Sequence, residues 1–353
     1  MIYVLLIILL LGIDVRKAVA SKADLDKNLI SYTSTNLMKG IAAVLVLFHH
    51  MESHVGQSDV LSRMNFPSVA VFFLISGYSL MYGYLYKPQY VKKILTQKIP
   101  TLVGWCIFTI IYTCVLFWVL GDPVSLKEVV FCFTGNRVLN WYFSSLLLKY
   151  LMFTLCVLVF GNNWKKMLVG LTGCSIIYMF VMRVISMGGS WYVSSLAFPL
   201  GAFIVTAFSE STNVDGEKRI AKFLGGRTPY TVMYFLFFVF VFAGVYMDAQ
   251  STIMKLIRLG CQIISAILFA MFMLSFCRGK FSKGVFKWCG KNSGQILLVQ
   301  NVSLVVADYF KMASFDIGGG YTILTIVLTI ALVIVTAPIY KKIEKIIVQI
   351  NCR

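Results

Sequence analysis

The stretch of sequence that decides the fold is Leu37-Met-Lys-Gly-Ile-Ala-Ala-Val-Leu-Val-Leu-Phe-His-His50, an apolar run with a cation near its start and two histidines at its end. Eleven helical residues separate Lys39 from His50, a rotation of about 1100°, so their side chains share one helix face within about 20° and stand about 16 Å apart. Ionisable groups in an apolar helix are expensive to insert into a membrane and by default mark a functional site. The run therefore predicts a membrane helix that carries the chemistry.

The composition indicates an all-α integral membrane protein. Of 353 residues, 59% are hydrophobic and only 13% are charged, whereas a soluble domain carries about 25% charged residues. Several apolar runs reach about 20 residues, the length that spans a bilayer as a helix. We predict ten transmembrane helices, at 37–53, 67–86, 99–120, 139–160, 165–184, 191–208, 229–247, 255–276, 292–312 and 319–340.

The distribution of charge predicts the orientation. Lys and Arg number 19 in the connections and tail that would lie on one side, and only seven in the alternate connections. Cytoplasmic loops carry this excess of cations, so both termini are expected in the cytoplasm. The net charge of +18 is then a topology signal and an attraction to anionic lipid, which leaves no reason to expect nucleic acid as a partner.

The N-terminal region is predicted to be distinct from the membrane domain. Residues 2–13 are apolar but too short to span comfortably, so residues 1–30 are predicted to form an interfacial or partly inserted segment. A cleaved signal peptide is the alternative, because Ala18-Val19-Ala20 resembles a cleavage site. Residues 31–345 are predicted to form one transmembrane domain, followed by a cytoplasmic tail at 346–353.

The three histidines of the chain, His49, His50 and His54, lie within six residues. An imidazole titrates near neutral pH, so His50 is a candidate general base that removes a proton from a hydroxyl. One alternative is a purely structural histidine that hydrogen-bonds to a neighbouring helix. Another is a metal site, but Glu52 lies about 200° away from His50 around the helix, unlike the zinc-protease pattern. No metal site is predicted.

Five segments, in order along most of the chain, resemble the membrane-bound acyltransferase-3 family. They are Lys39-Gly40-Ile41-Ala42-Ala43 with the following histidines, Val71-Phe72-Phe73-Leu74-Ile75-Ser76-Gly77-Tyr78, Lys92-Lys93 with Lys98-Ile99-Pro100, Trp141-Tyr142-Phe143, and Gly290-Lys291-Asn292-Ser293. Three positions depart from the family pattern. Lys39 and Lys98 stand where arginine is usual, and Gln300 stands where many members have histidine.

The resemblance implies an integral-membrane O-acyltransferase of the bacterial cytoplasmic (inner) membrane. The donor would be acetyl-CoA or another acyl-CoA, and the acceptor a hydroxyl of a cell-envelope glycan or of a lipid-linked precursor. The residues to which it gives roles are His50, Lys39 and His54 in catalysis, Lys98, Lys92 and Lys93 in attracting the coenzyme phosphates, and Ser76, Gly77, Trp141 and Ser293 in support.

A transporter or flippase for a glycan or lipid is the alternative function, because many carriers are basic multispan proteins of this size. Carriers often contain internal repeats, and none is evident here. The ionisable groups also concentrate on one helix near one end. The sequence therefore favours the enzyme.

Overall fold

A computed structural model describes residues 15–17, 31–55, 65–87, 89–161, 163–210, 227–247, 250–278, 280–312 and 320–351. These residues are almost entirely helical, with one short antiparallel ribbon. The helices are α1 Tyr32–Val55, α2 Asn65–Tyr86, α3 Tyr90–Val119, α4 Leu126–Val130, α5 Trp141–Phe160, α6 Trp164–Val184, α7 Ala197–Glu210, α8 Arg227–Tyr246, α9 Thr252–Cys277, α10 Gly284–Lys291, α11 Ser293–Met312 and α12 Gly320–Ile350. The ribbon pairs β1 (Val15–Lys17) with β2 (Lys280–Ser282).

The all-α membrane class is confirmed. Each of the ten predicted spans falls on an observed helix. Six of the helices in the described part of the chain are long and apolar enough to cross a membrane. The number ten and the cytoplasmic termini remain predictions. The predicted interfacial segment at 1–30 lies outside the described residues, apart from the strand Val15–Lys17.

Helix boundaries differ from the predicted spans at two basic segments. α3 begins at Tyr90, so the basic connection before Ile99 is helical instead of a loop. Its turn Ile94–Lys98 is π-helical and ends two residues before Pro100. The proline ring has no N–H, and in a regular α-helix it clashes with the carbonyl four residues earlier. α12 likewise continues to Ile350, because lysines end a membrane span without ending a helix.

The sixth predicted span, 191–208, starts later than expected. Residues Gly189–Trp191 form a 3-10 turn, and α7 begins only at Ala197. The turn is held to the start of α2, because the Asn65 amide donates to the Ser190 hydroxyl (3.2 Å) and the Ser194 hydroxyl donates to the Phe66 carbonyl (2.6 Å).

The chain divides into two compact units. The first comprises the described residues of Met1–Glu52, Gly56–Lys87 and Val159–Lys291, and the second those of Ser53–Val55, Pro88–Leu158 and Asn292–Arg353. In the first unit α2 packs against α7 and α9, and α8 packs against α9. In the second unit α12 packs against α11 and α3.

Glycines form a close helix contact in the first unit. A Cβ on Gly77 would collide with the Phe198 carbonyl of α7, and a Cβ on Gly201 would collide with the Leu74 carbonyl of α2. The two backbones therefore touch through a reciprocal pair of glycines. Small residues at such crossings are the usual means of packing helices in lipid, where no hydrophobic force draws helices together.

An ion cluster orders the connection between α3 and α5 in the second unit. Arg137 Nε donates to Glu128 Oε1 (2.7 Å), Arg137 also pairs with Asp122, and its guanidinium lies 5.0 Å from the centre of the Phe117 ring. Hydrogen bonds from Arg137 and from Ser125 lower the pKa of Glu128 to about 2. Asn301 of α11 donates to the Asn136 carbonyl (3.4 Å), which ties this connection to the helices.

The crossing of α2 and α7 predicts that Gly201→Ala destabilises the protein. The added methyl group meets backbone atoms of α2 that cannot move aside alone, so we expect a loss of about 1–3 kcal/mol in the free energy of unfolding. Thermal unfolding in detergent micelles measures it.

Gly260→Ala in α9 is the matched control, because no atom lies within 4 Å of a Cβ placed there. It should leave stability unchanged or raise it by up to about 1 kcal/mol. Equal effects of the two substitutions would refute the close-contact explanation.

Candidate active site

Helix α1 is enclosed on nearly all sides. Between Leu37 and Met51 every residue is buried except four half-buried ones, namely Lys39, Val44, His49 and His50. A helix that is apolar all round is an interior helix. Lys39 and the two histidines are therefore the polar, partly accessible positions of an otherwise buried helix.

Lys39 and His50 are accessible at separate places. They share a helix face, as the sequence predicts, but Ala43 and Val46 lie on that face between them and are 0% and 2% exposed. Packed side chains therefore bury the helix face between Lys39 and His50, a distance of about 16 Å. Lys39 is half-buried at one end of this interval, and His49 and His50 are half-buried at the other.

The rings of His49 and His50 are in contact with each other. The ring centres of His49 and His50 are 4.9 Å apart with 62° between the ring planes. His54 belongs to the last turn of α1, but its side chain lies outside the described residues. The proximity of His49 to His50 is a consequence of their adjacency in sequence, and it places two titratable rings at one site.

A second glycine crossing fixes α10 against α1 beside Lys39. A Cβ on Gly40 would collide with the Phe286 carbonyl, and a Cβ on Gly290 would collide with the Asn36 carbonyl. Phe286 is fully buried at this contact. The first and last of the five sequence motifs, separated by about 250 residues, therefore meet through their backbones.

Ser76 and Gly77, predicted to support the site, lie on α2. Gly77 is buried and forms the crossing with α7. Ser76 is half-buried. With Lys39 and His50, they belong to the first compact unit.

The other predicted site residues belong to the second unit. Lys92, Lys93 and Lys98 are exposed on the first turns of α3. Trp141 begins α5 and packs against Gly135, where φ is 81° and a Cβ would collide with the tryptophan. Ser293 is buried at the start of α11.

Within the second unit, the start of α11 approaches α3. A Cβ on Gly294, next to Ser293, would lie 3.0 Å from the Trp105 ring of α3. The Trp105 Nε1 donates to the Tyr340 carbonyl (3.2 Å), and Thr109 and Tyr340 share a hydrogen bond of 2.8 Å between their hydroxyls. α3, α11 and α12 are therefore joined by one aromatic and polar cluster.

The sequence did not identify Asn36 and Phe286, whose backbone carbonyls contact Gly290 and Gly40, respectively. Both motifs contain a glycine, which indicates a possible close contact. No local sequence pattern indicates which distant segment that glycine contacts. Among the described residues, no group of three or more His, Cys, Asp or Glu side chains is placed to hold a metal ion.

Comparison with known proteins gives one match. A family model described as Acyltransferase domain matches residues 32–341, which include α1 and nearly all of the helices described above. No curated protein and no solved structure matches the chain significantly.

The crossing of α1 and α10 predicts a local effect of Gly290→Ala. The methyl group must push α10 away from the Asn36 carbonyl, so amide hydrogen exchange should rise in residues 284–291 and around Asn36. Hydrogen-exchange mass spectrometry of the purified protein measures this opening.

Gly173→Ala in α6 is the matched control, because a Cβ there meets nothing within 4 Å. It should leave exchange in both segments unchanged. Unaltered exchange in Gly290→Ala would show that the two backbones are not in contact.

Proposed function

This chain belongs to the acyltransferase-3 family, and from that premise we propose that it transfers an acetyl or other acyl group from acyl-CoA to a hydroxyl of a cell-envelope glycan or its precursor. The family match makes the chain an acyltransferase, of the kind that transfers groups other than amino-acyl groups, and its apolar helices make it an integral membrane protein. The donor, the acceptor and the bacterial inner membrane as its location are our proposal.

The observation that carries the proposal is the half-buried His50 on a helix that is otherwise enclosed. A fully buried histidine would be out of reach of substrate, and a fully exposed one would lack a desolvated site. A partly accessible imidazole meets both needs of a general base. Transport has no comparable support in the described residues, and the family match favours acyl transfer.

In the proposed reaction, His50 accepts the proton of the acceptor hydroxyl as its oxygen attacks the carbonyl carbon of the thioester. A new C–O ester bond forms, the C–S bond breaks, and the sulfur of coenzyme A leaves as a thiolate. The proton on His50 then passes to that thiolate. One acyl group is exchanged for one proton, and no external oxidant or reductant is needed.

Lys39 is proposed to hold an anionic part of the donor. Lys39 lies about 16 Å along α1 from His50, with Ala43 and Val46 packed between them. The long flexible arm of an acyl-CoA suits two such separated contacts. Lys92, Lys93 and Lys98, exposed at the start of α3, would attract the coenzyme phosphates to the cytoplasmic face. His54 would act near His50 in a secondary role.

The first test is His50→Ala, which should lower acyl transfer about 10²–10⁴-fold, the usual contribution of a general base. Mass spectrometry of envelope glycans from cells expressing each variant measures the loss of one acyl-sized mass difference. The amount of folded protein in the membrane should not change.

His54→Ala is the comparison variant, and its effect should be milder because His54 is one turn further along α1. Near-normal acylation by His50→Ala would show that another group is the base.

The second test concerns the charge of Lys39. Lys39→Arg should keep substantial activity if an anion is held by charge alone, whereas Lys39→Met should raise the KM for acyl-CoA strongly, because a partly desolvated anion loses its partner. Acyl-CoA dependence in isolated membranes distinguishes these outcomes.

The alternative role for Lys39 is an anchor that extends toward the headgroups. Under that role, Lys39→Met would alter the amount of inserted protein and leave the KM for acyl-CoA unchanged. Such a result would remove Lys39 from the donor site.

A further inference from the structure

Helix α10 carries a row of three exposed lysines. Lys283 precedes the helix and accepts its first backbone hydrogen bond, from Lys287, and Lys291 is its last residue. All three are exposed. They are spaced four residues apart, so they follow one helix face and extend over about 12 Å.

The face of α10 next to the lysine row is fixed to α1. Phe286, Cys289 and Gly290 are buried, and the Gly40 and Gly290 crossing brings the two backbones into contact. Gly40 follows Lys39 directly in sequence. The lysine row is therefore held by backbone contact on the helix that carries Lys39 and His50, instead of on a free loop.

The surroundings of the row contain no opposing charge in sequence. Residues 277–291 include five cations and no Asp or Glu. β2, which precedes α10, pairs with β1 in the register Arg16↔Phe281 and Lys17↔Lys280, which adds two more basic residues to this ribbon. The Lys280 ammonium lies over the Phe276 ring, 3.6 Å from its centre, whereas the three lysines of the row are exposed to solvent.

We propose that Lys283, Lys287 and Lys291 bind the phosphate groups of the acyl-CoA donor. This inference rests on the proposed function and deepens it. Coenzyme A carries a pyrophosphate and a separate 3′-phosphate, so its anionic end offers several phosphate groups at different positions along its length. A row of ammonium groups matches such an extended anion, because lysines bind phosphate as separate point charges.

The row and the lysines of α3 have different roles in this arrangement. Lys92, Lys93 and Lys98 attract the donor from solution, an effect on the association rate. The row on α10 holds the bound donor, because α10 is the element locked to the Lys39 helix. Loss of the row should therefore weaken equilibrium binding more than loss of the α3 lysines.

The test uses the full-length protein in nanodiscs of neutral phosphatidylcholine, with coenzyme A as the probe. Substituting Lys283, Lys287 and Lys291 together by Gln should raise the Kd of coenzyme A, measured by calorimetry, at least about tenfold. The corresponding triple Arg variant should retain binding within about threefold, because it keeps the charges. The kcat/KM ratio for acyl-CoA over acyl-pantetheine, which lacks the nucleotide phosphates, should fall in the Gln variant.

A matched control removes three other exposed lysines, Lys341, Lys342 and Lys345 of α12, by the same substitution to Gln. This variant loses the same charge and should change the Kd by less than about twofold. A larger effect from the control, or from the triple Gln variant of Lys92, Lys93 and Lys98, than from the α10 variant would overturn the assignment.

The remaining outcomes separate the inference from the proposed function. If the wild type transfers acyl groups from acyl-CoA and the α10 variant binds coenzyme A normally, only the inference fails. If the wild type neither binds coenzyme A nor uses acyl-CoA, both fail. If the α10 variant differs from wild type only in nanodiscs that contain phosphatidylglycerol, the row contacts anionic lipid headgroups and the inference is wrong.

Discussion

The arrangement of the first unit depends on backbone contact at the glycine crossings. In lipid, no hydrophobic force draws helices together, so packing and close approach must do so. Gly40 and Gly290 let α1 and α10 touch, and Gly77 and Gly201 let α2 and α7 touch. A side chain at any of these positions would separate backbones that now meet. The position of Lys39 relative to α10, and hence the architecture of the proposed donor site, follows from the first of these contacts.

The sequence predicted the helices well because length and hydropathy are local properties. All ten predicted spans lie on helices. The ends were less accurate, since hydropathy marks where a helix would leave the bilayer and not where its hydrogen bonds stop. The N-terminal turns of α3 and the C-terminal turns of α12 continue through lysines for this reason. At 191–196 the predicted helix was too long instead of too short. These residues are largely apolar, but they form turns in which the Ser194 hydroxyl donates to the Phe66 carbonyl.

The candidate site was predictable only along one helix. Helical periodicity alone placed Lys39 and His50 on one face. Periodicity says nothing about packing, and so it could not show that Ala43 and Val46 close that face between them. Nor could it show that Gly40 meets a segment about 250 residues later. Such contacts are set by the tertiary structure, and the resemblance to a family identified both motifs without indicating that they touch.

The degree of burial separates Lys39 and His50 from the lysine of α5 and the lysines at the start of α3. Lys149 of α5 is only 1% exposed, so solvent does not reach it. Lysines 92, 93 and 98 are exposed, so water screens their charges and limits what each contributes to binding. Lys39 and His50 lie between these extremes. Both side chains are partly desolvated, and in the proposed reaction this strengthens the interaction of Lys39 with a bound anion and of His50 with a proton donor.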